Sequence, residues 1–336
     1  MSSDEDPTGT GDDHEGPLGY TFAVADKLFC CWDYDHGKRT LEFLDGLDPG
    51  YFATMAMLLG GQLESDDSLA VSVTLRMHYV QAIEALLALL GATVQAPDAV
   101  PAWIASCSTG NLDKVAERLG KRTSILTQGG PHRLSFIDLS EHVHRYAWTA
   151  ETGGDSTAAR FGRFWRRLAV DHLDDLVRAE YNALKHGHRV AAGGFSLAFG
   201  VEDTPGVPAP AEAMRSMGSS RYGTTFFRAE RVGTTKHHIR TRRTSVNWSA
   251  TAVVNRLLLI SMSMSNVVAA LRCHLGVDPS TVQFHRPEQS EVFDEVWDER
   301  VGVGHCSMDV LVRIGTSDEL PPNKLLEDLQ GRTPYD

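Results

Sequence analysis

Two long apolar segments limit the folds open to this chain. Between residues 68 and 92, Leu69, Val71, Val73, Leu75, Tyr79, Ala82, Ile83, Leu86, Leu87 and Leu90 cover more than one face of a helix. A surface helix carries a single apolar stripe, so a helix that is apolar on several sides must be enclosed by others. The spacing predicts a central, largely buried helix that stops at Gly91 and then Pro97. A second long helix is predicted from about Ala250 to Leu275, capped by Asn247 or Ser249, with Val253, Leu257, Ile260, Val267 and Leu271 on one face and Gly276 at its end. Its most apolar part, Leu257 to Leu271, is broken by Ser261, Ser263, Ser265 and Asn266 and is too short to span a bilayer.

Other helices are expected along the chain. Residues 51–64, Pro101 to Cys107, Asn111 to Leu119 and Phe136 to Trp148 read as helical. Asp155-Ser156-Thr157 is an N-cap region, from which one long helix is expected to run to about Lys185. Tyr20 to Ala25 is a strand or a short helix. From Phe195 the pattern changes: Phe195 to Phe199 alternates like a strand, and residues 203–220 are a loop rich in Pro, Ala and Ser. Thr224 to Val232 and Lys236 to Thr244, joined by Gly233-Thr234-Thr235, read as a β-hairpin. Met308 to Ile314 is a further candidate strand. Strands and helices do not alternate, which argues against a doubly wound sheet. The expected fold is mainly α, a helical bundle with an inserted β-hairpin or small β-sheet. Its parts are an acidic tail at 1–17, a helical core at 18–192, the β insertion at 193–246, a long helix with mixed completion at 247–316, and a C-terminal tail at 317–336.

Composition narrows the setting. The chain has 336 residues, 42% of them hydrophobic, enough for a sizeable core. Its formal net charge is -12, so no basic footprint for nucleic acid covers the whole protein. Residues 1–17 supply six of those negative charges and hold no Lys or Arg, which marks a solvated, disordered tail. The five cysteines include no Cys-x-x-Cys pair, against a disulfide framework or zinc module. The acidic start is unlike a signal peptide. A cytoplasmic protein with no membrane partner is expected. There is no P-loop, dinucleotide fingerprint or nucleophile elbow, and no cofactor is expected.

The segment richest in chemistry is Tyr181-Asn182-Ala183-Leu184-Lys185-His186-Gly187. At 100° per residue, Arg178, Asn182, Lys185 and Arg189 fall within about 60° of one another, with His186 at the edge. Leu173, Leu176, Val177, Ala183 and Leu184 lie opposite. The helix therefore buries one face and presents a polar, basic stripe on the other.

This segment resembles the HEPN superfamily of helical-bundle domains, found in ribonuclease toxins and defence systems. Catalytic members carry Arg, a polar residue such as Asn, three variable residues, then His, often followed by Gly. The matching run here is Tyr181, Asn182, Ala183-Leu184-Lys185, His186, Gly187, with Tyr181 in the arginine position. The resemblance implies metal-free RNA cleavage by a toxin or anti-phage effector, at a composite site formed by two paired copies. His186 and Asn182 would act on the reacting groups, while Arg178, Lys185 or Arg189 would supply the positive charge that Tyr181 lacks. A histidine near neutral pKa can trade protons at pH 7, and a guanidinium grips phosphate at two points. A protein that has lost the arginine would instead keep the scaffold as a non-catalytic protein- or nucleotide-binding module. The same residues also suit an ordinary helix C-terminus, where cations and Gly are favoured.

Three other clusters bear on function. Lys236, His238, Arg240 and Arg242 would share one strand face and track an RNA backbone, or else protect a sheet edge. Glu141 and His144 have the Glu-x-x-His spacing of di-metal bundles, but the second such pair that these sites need is missing and no metal is expected. Phe161, Phe164, Trp165 and Leu168 mark a buried helix face ringed by Arg160, Arg163, Arg166 and Arg167.

Overall fold

A computed structural model describes residues 19–32, 35–148, 156–186, 189–234, 237–298, 301–308 and 320–331. About 53% of the chain is helical and 18% is strand in small sheets, so helices carry the core and the whole is mixed α and β. The described residues begin with a hairpin of β1 (Tyr20–Val24) and β2 (Lys27–Cys31), so the segment expected at Tyr20 to Ala25 is a strand to Val24 with Ala25 in the turn. Next come α1 (His36–Gly46), α2 (Tyr51–Gly60), α3 (Ser68–Gln95), α4 (Val100–Ser106) and α5 (Thr109–Lys121). A short hairpin, β3 (Ser124–Thr127) and β4 (Gly130–Arg133), leads to α6 (Phe136–Val143), α7 (Thr157–Leu173) and α8 (Asp175–Lys185).

The second half holds β5 (Val190–Ala192), β6 (Ser196–Phe199), β7 (Arg215–Ser219), β8 (Gly223–Arg231) and β9 (Ile239–Asn247). The long helix α9 (Ala250–His274), the short α10 (Val292–Glu295), β10 (His305–Met308) and α11 (Pro322–Gly331) complete it. The expected hairpin is β8 and β9, with Thr225 opposite Ser245 and Glu230 opposite Arg240. It is the middle of a four-stranded antiparallel sheet in the order β10-β9-β8-β5.

The two long helices form the centre. α3 packs along α9, and most of both is buried. Each is long and apolar enough to cross a membrane, a test that the core helix of a globular fold also passes, and 72% of each apolar window is buried within this fold. α3 does not stop at Gly91 but continues to Gln95. The glycine is there for space: a Cβ at position 91 would collide with the indole of Trp103 on α4. At its end, the Gln95 amide receives the Ala25 N–H at 2.8 Å and donates to Ala25 O at 3.1 Å, which fixes the β1–β2 turn to the core.

The helix expected to run unbroken from residue 157 to Lys185 is instead two helices. Asp174 sits between α7 and α8 in extended conformation (ψ 121°). Its carboxylate accepts from Leu176 N at 2.7 Å and Val177 N at 3.0 Å, the local hydrogen bonding by which Asp competes with a continuous helix. Two further ends differ. α6 ends at Val143 with a 3-10 turn after it, and residues 322–331, expected as a tail, form a helix with Pro322 in its first turn. Of the expected strand 308–314, Met308 closes β10 and the rest lies outside the described residues.

Between α3 and α9 the core holds charge as well as apolar side chains. Arg256 of α9 lies 4.3 Å from the Trp297 ring and 5.6 Å from the Tyr79 ring. Arg76 of α3 also lies over the Tyr79 ring, at 5.4 Å, and 5.8 Å from the Trp248 ring. Cations and rings thus alternate through the centre of the molecule, each contact contributing about 0.5–2 kcal/mol. Two carboxylates balance the two guanidinium groups: Glu180 meets Arg76 at 3.0 Å, and Asp171 accepts from the Tyr79 hydroxyl at 2.5 Å.

Candidate functional site

α8 is fixed in rotation by its core face. Glu180 is only 1% exposed and accepts from Arg76 Nε at 3.0 Å, Thr224 Oγ1 at 2.6 Å and Trp248 Nε1 at 3.2 Å. It is roughly 160° around the helix from Arg178, so locking Glu180 inside turns Arg178, Asn182 and Lys185 outward. Its carboxylate ties α8 at once to α3, to β8 and to the segment before α9.

The outward face forms one wall of a cleft of about 260 Å³. Arg178, Tyr181, Asn182 and Lys185 line it from α8, Val80, Ile83 and Glu84 from α3, and His172 from the end of α7. Four of the motif's expected site residues therefore converge. His186 does not line this cleft; it caps α8, exposed, with its N–H on Asn182 O at 3.2 Å. Arg189 is exposed beyond the helix and leaves the stripe, its N–H closing onto Ala183 O at 2.9 Å.

Within the cleft, some groups are committed and others are open. Arg178 Nη2 meets Asp113 Oδ1 at 3.1 Å and His172 O at 3.4 Å. His172 Nε2 stands 2.9 Å from the same Asp113 oxygen, close enough for an ion pair but off the line of the ring N–H. Burial pushes the His172 imidazole below its usual range, against the opposing pull of Asp113 and Glu84, so the ring is neutral at pH 7. Burial also raises the Tyr181 phenol, and the Glu84 carboxylate adds to it. Tyr181 is 7% exposed, and its ring lies 4.7 Å from the Lys185 ammonium. It packs as part of the wall and offers no substitute for a guanidinium.

Lys185 and Asn182 are different. Among the described residues, the Lys185 ammonium has no carboxylate partner and the Asn182 carboxamide makes no hydrogen bond. The cleft thus presents one unpaired cation and one unpaired donor–acceptor group beside charges that cancel: Glu84 and Asp113 against Arg178 and Lys185.

The strand cations behave otherwise. Arg240 and Arg242 both pair with Glu230, at 3.0 Å and 3.1 Å, and Arg242 faces Asp174 and Asp175 across a separate cleft. Glu230 draws the two arginines together and its own acidity is strengthened by their hydrogen bonds. Lys236 lies outside the described residues. Glu141 and His144 do not converge, since Glu141 is exposed while His144 is buried between Ser140 and Asn266.

Sequence reasoning missed Glu180, Asp113 and the cleft role of His172. One signal was present: Arg76 is the sole Lys or Arg of the long, largely apolar α3. A buried guanidinium requires a buried carboxylate, though the sequence does not say which one. Comparison with protein families, curated proteins and solved structures finds no match to this chain.

Proposed function

We propose that this chain is a non-catalytic binding module whose ligand is a nucleotide-sized molecule held in the cleft beside α8. The observation that carries the reading is the pairing pattern. Arg178 is committed to Asp113 and Tyr181 is packed into the wall, while the Asn182 carboxamide and the Lys185 ammonium have no hydrogen-bonding or carboxylate partner among the described residues of the same cleft. A carboxamide can donate to and accept from a base edge, and an ammonium can hold one phosphate. The balanced charge of the cleft favours such a small ligand over a long polyanion, whose binding needs many unneutralised cations. Calorimetric titration with AMP, GMP, CMP and UMP tests this. At least one should bind in a single site, and Lys185→Ala should weaken it about tenfold, or about 1.4 kcal/mol. Absence of binding by all four nucleotides would overturn the reading.

A second reading keeps the HEPN-like activity: two copies pair and cleave RNA without metal, as a toxin or anti-phage effector. The exposure of His186, next in sequence to Lys185, favours it, because a second copy can reach the ring. RNA cleavage in EDTA that vanishes with His186→Ala would establish this activity, and a two-fold dimer that keeps the two His186 apart would exclude the composite site.

A further inference from the structure

A second cleft, of about 540 Å³, opens where α3, α6 and α9 end, and it shares no lining residue with the cleft beside α8. All of its lining residues are described. Its floor is apolar: Val94 of α3, Pro97, Leu134, and Leu139 of α6. Val94 and Leu139 are 8% and 3% exposed. Its rim carries Arg145, His132, His142 and His274. His142 and His274 stand in the last turns of α6 and α9, where positive charge is favoured.

The cations of this rim lack a carboxylate at their centre. Arg145 Nη1 lies 3.3 Å from His142 Nδ1, and Arg145 Nη2 donates to the Tyr146 hydroxyl at 2.5 Å. Among the described residues, Arg145 meets no carboxylate. Burial, and then the charges of Arg145 and His274, push the His142 imidazole below its usual range, and no carboxylate opposes them. The two nearby carboxylates are engaged. Asp138 Oδ2 accepts from Ser135 N and Oγ, each at 2.7 Å, and lies 3.5 Å from Arg122 Nε. Asp98 lies 2.9 Å from His274 Nε2 and accepts from the Gln128 amide at 3.0 Å. One guanidinium and one imidazole thus stand side by side above an apolar floor.

We propose that this cleft binds an organic monocarboxylate with an apolar body, its carboxylate on Arg145 and His142 and its carbon skeleton on the floor. A guanidinium fork matches a carboxylate at two points. An anion there favours the charged imidazole, which then adds an N–H donor. A single lining guanidinium suits one negative charge better than the two of a phosphate monoester. An apolar lining with a few convergent polar groups is the make-up of small-molecule sites, whose volumes run from about 300 to 1,000 Å³. This site stands apart from the α8 cleft and does not depend on it.

The test titrates the full chain calorimetrically with 3-phenylpropionate, with its amide 3-phenylpropanamide, and with acetate. The variants are Arg145→Gln, His142→Gln, and Arg215→Gln as a charge-matched control on exposed β7. Circular dichroism melts confirm that each is folded. 3-Phenylpropionate should bind in one site. The amide keeps the ring and loses the charge, acetate keeps the charge and loses the ring, and each should bind about tenfold more weakly or worse. Arg145→Gln should weaken 3-phenylpropionate about tenfold, His142→Gln about threefold, and Arg215→Gln less than about twofold. The proposal is overturned if 3-phenylpropionate does not bind, if the amide binds as tightly as the acid, or if Arg145→Gln binds no more weakly than Arg215→Gln.

Discussion

The two faces of α8 treat charge in opposite ways. On the core face, Glu180 is buried and its carboxylate is hydrogen-bonded by Arg76, Thr224 and Trp248. On the cleft face, Lys185 and Asn182 lie within reach of solvent and are left without a polar partner among the described residues. A buried ion must be satisfied or the fold loses several kcal/mol, whereas an open ammonium is hydrated at little cost. The difference assigns the work: one face holds the helix in place, and the other is free to meet a ligand.

The largest expected effect breaks the core face. Glu180→Gln leaves Arg76 charged and buried, and should destabilise the protein by about 3–5 kcal/mol. Urea unfolding measures this, and the double change Arg76→Met/Glu180→Leu should recover most of the loss. A Glu180→Gln protein as stable as wild type would show that the buried pair does not anchor α8.

The same contrast separates two histidines. His186 is open at the helix end, whereas His144 is stacked on Trp148 and Phe161 with ring separations of 5.0 and 4.9 Å. Desolvation pushes the His144 imidazole down to about 4, with its hydrogen bond to the Ser140 backbone opposing the shift. Its folded pKa is below the unfolded value, so the unfolded state binds the proton first on acidification. Stability attributable to His144 is present above pH 6.5 and is lost as the pH falls toward 4, by about 3 kcal/mol. Denaturation midpoints measured across that window should fall in wild type and flatten in His144→Gln.

A smaller effect tests the break between α7 and α8. Asp174→Ala removes the cap on Leu176 N and Val177 N and should cost about 1 kcal/mol. The smallest change in stability is expected on the cleft face. Lys185→Ala should shift it by no more than about 0.5 kcal/mol while ligand affinity falls tenfold. Loss of stability in step with loss of binding would mean that Lys185 is structural.

The sequence was legible where period and capping decide the outcome. The burial of α3 follows from its apolar residues on more than one face, and the β8–β9 hairpin from alternation around Gly233. It was illegible where one side chain overrides the period. Asp174 is compatible with a continuing helix until its carboxylate turns back onto Leu176 and Val177. Gly91 reads as a stop signal until Trp103 is brought against it, a contact between residues on different helices. The stripe of Arg178, Asn182 and Lys185 was visible from helical spacing. Asp113, which pairs with Arg178, and Glu84, which acts on Tyr181 and His172, were not, because they come from α5 and α3 and only tertiary packing brings them near.

Hydrogen–deuterium exchange with mass spectrometry, in the presence and absence of a saturating nucleoside monophosphate, tests the central claim most directly. If the cleft beside α8 is the binding site, protection should appear in peptides covering residues 80–84 and 172–186 and disappear in Lys185→Ala. Protection confined to other regions, such as residues 160–170, or no change at any concentration, would contradict it.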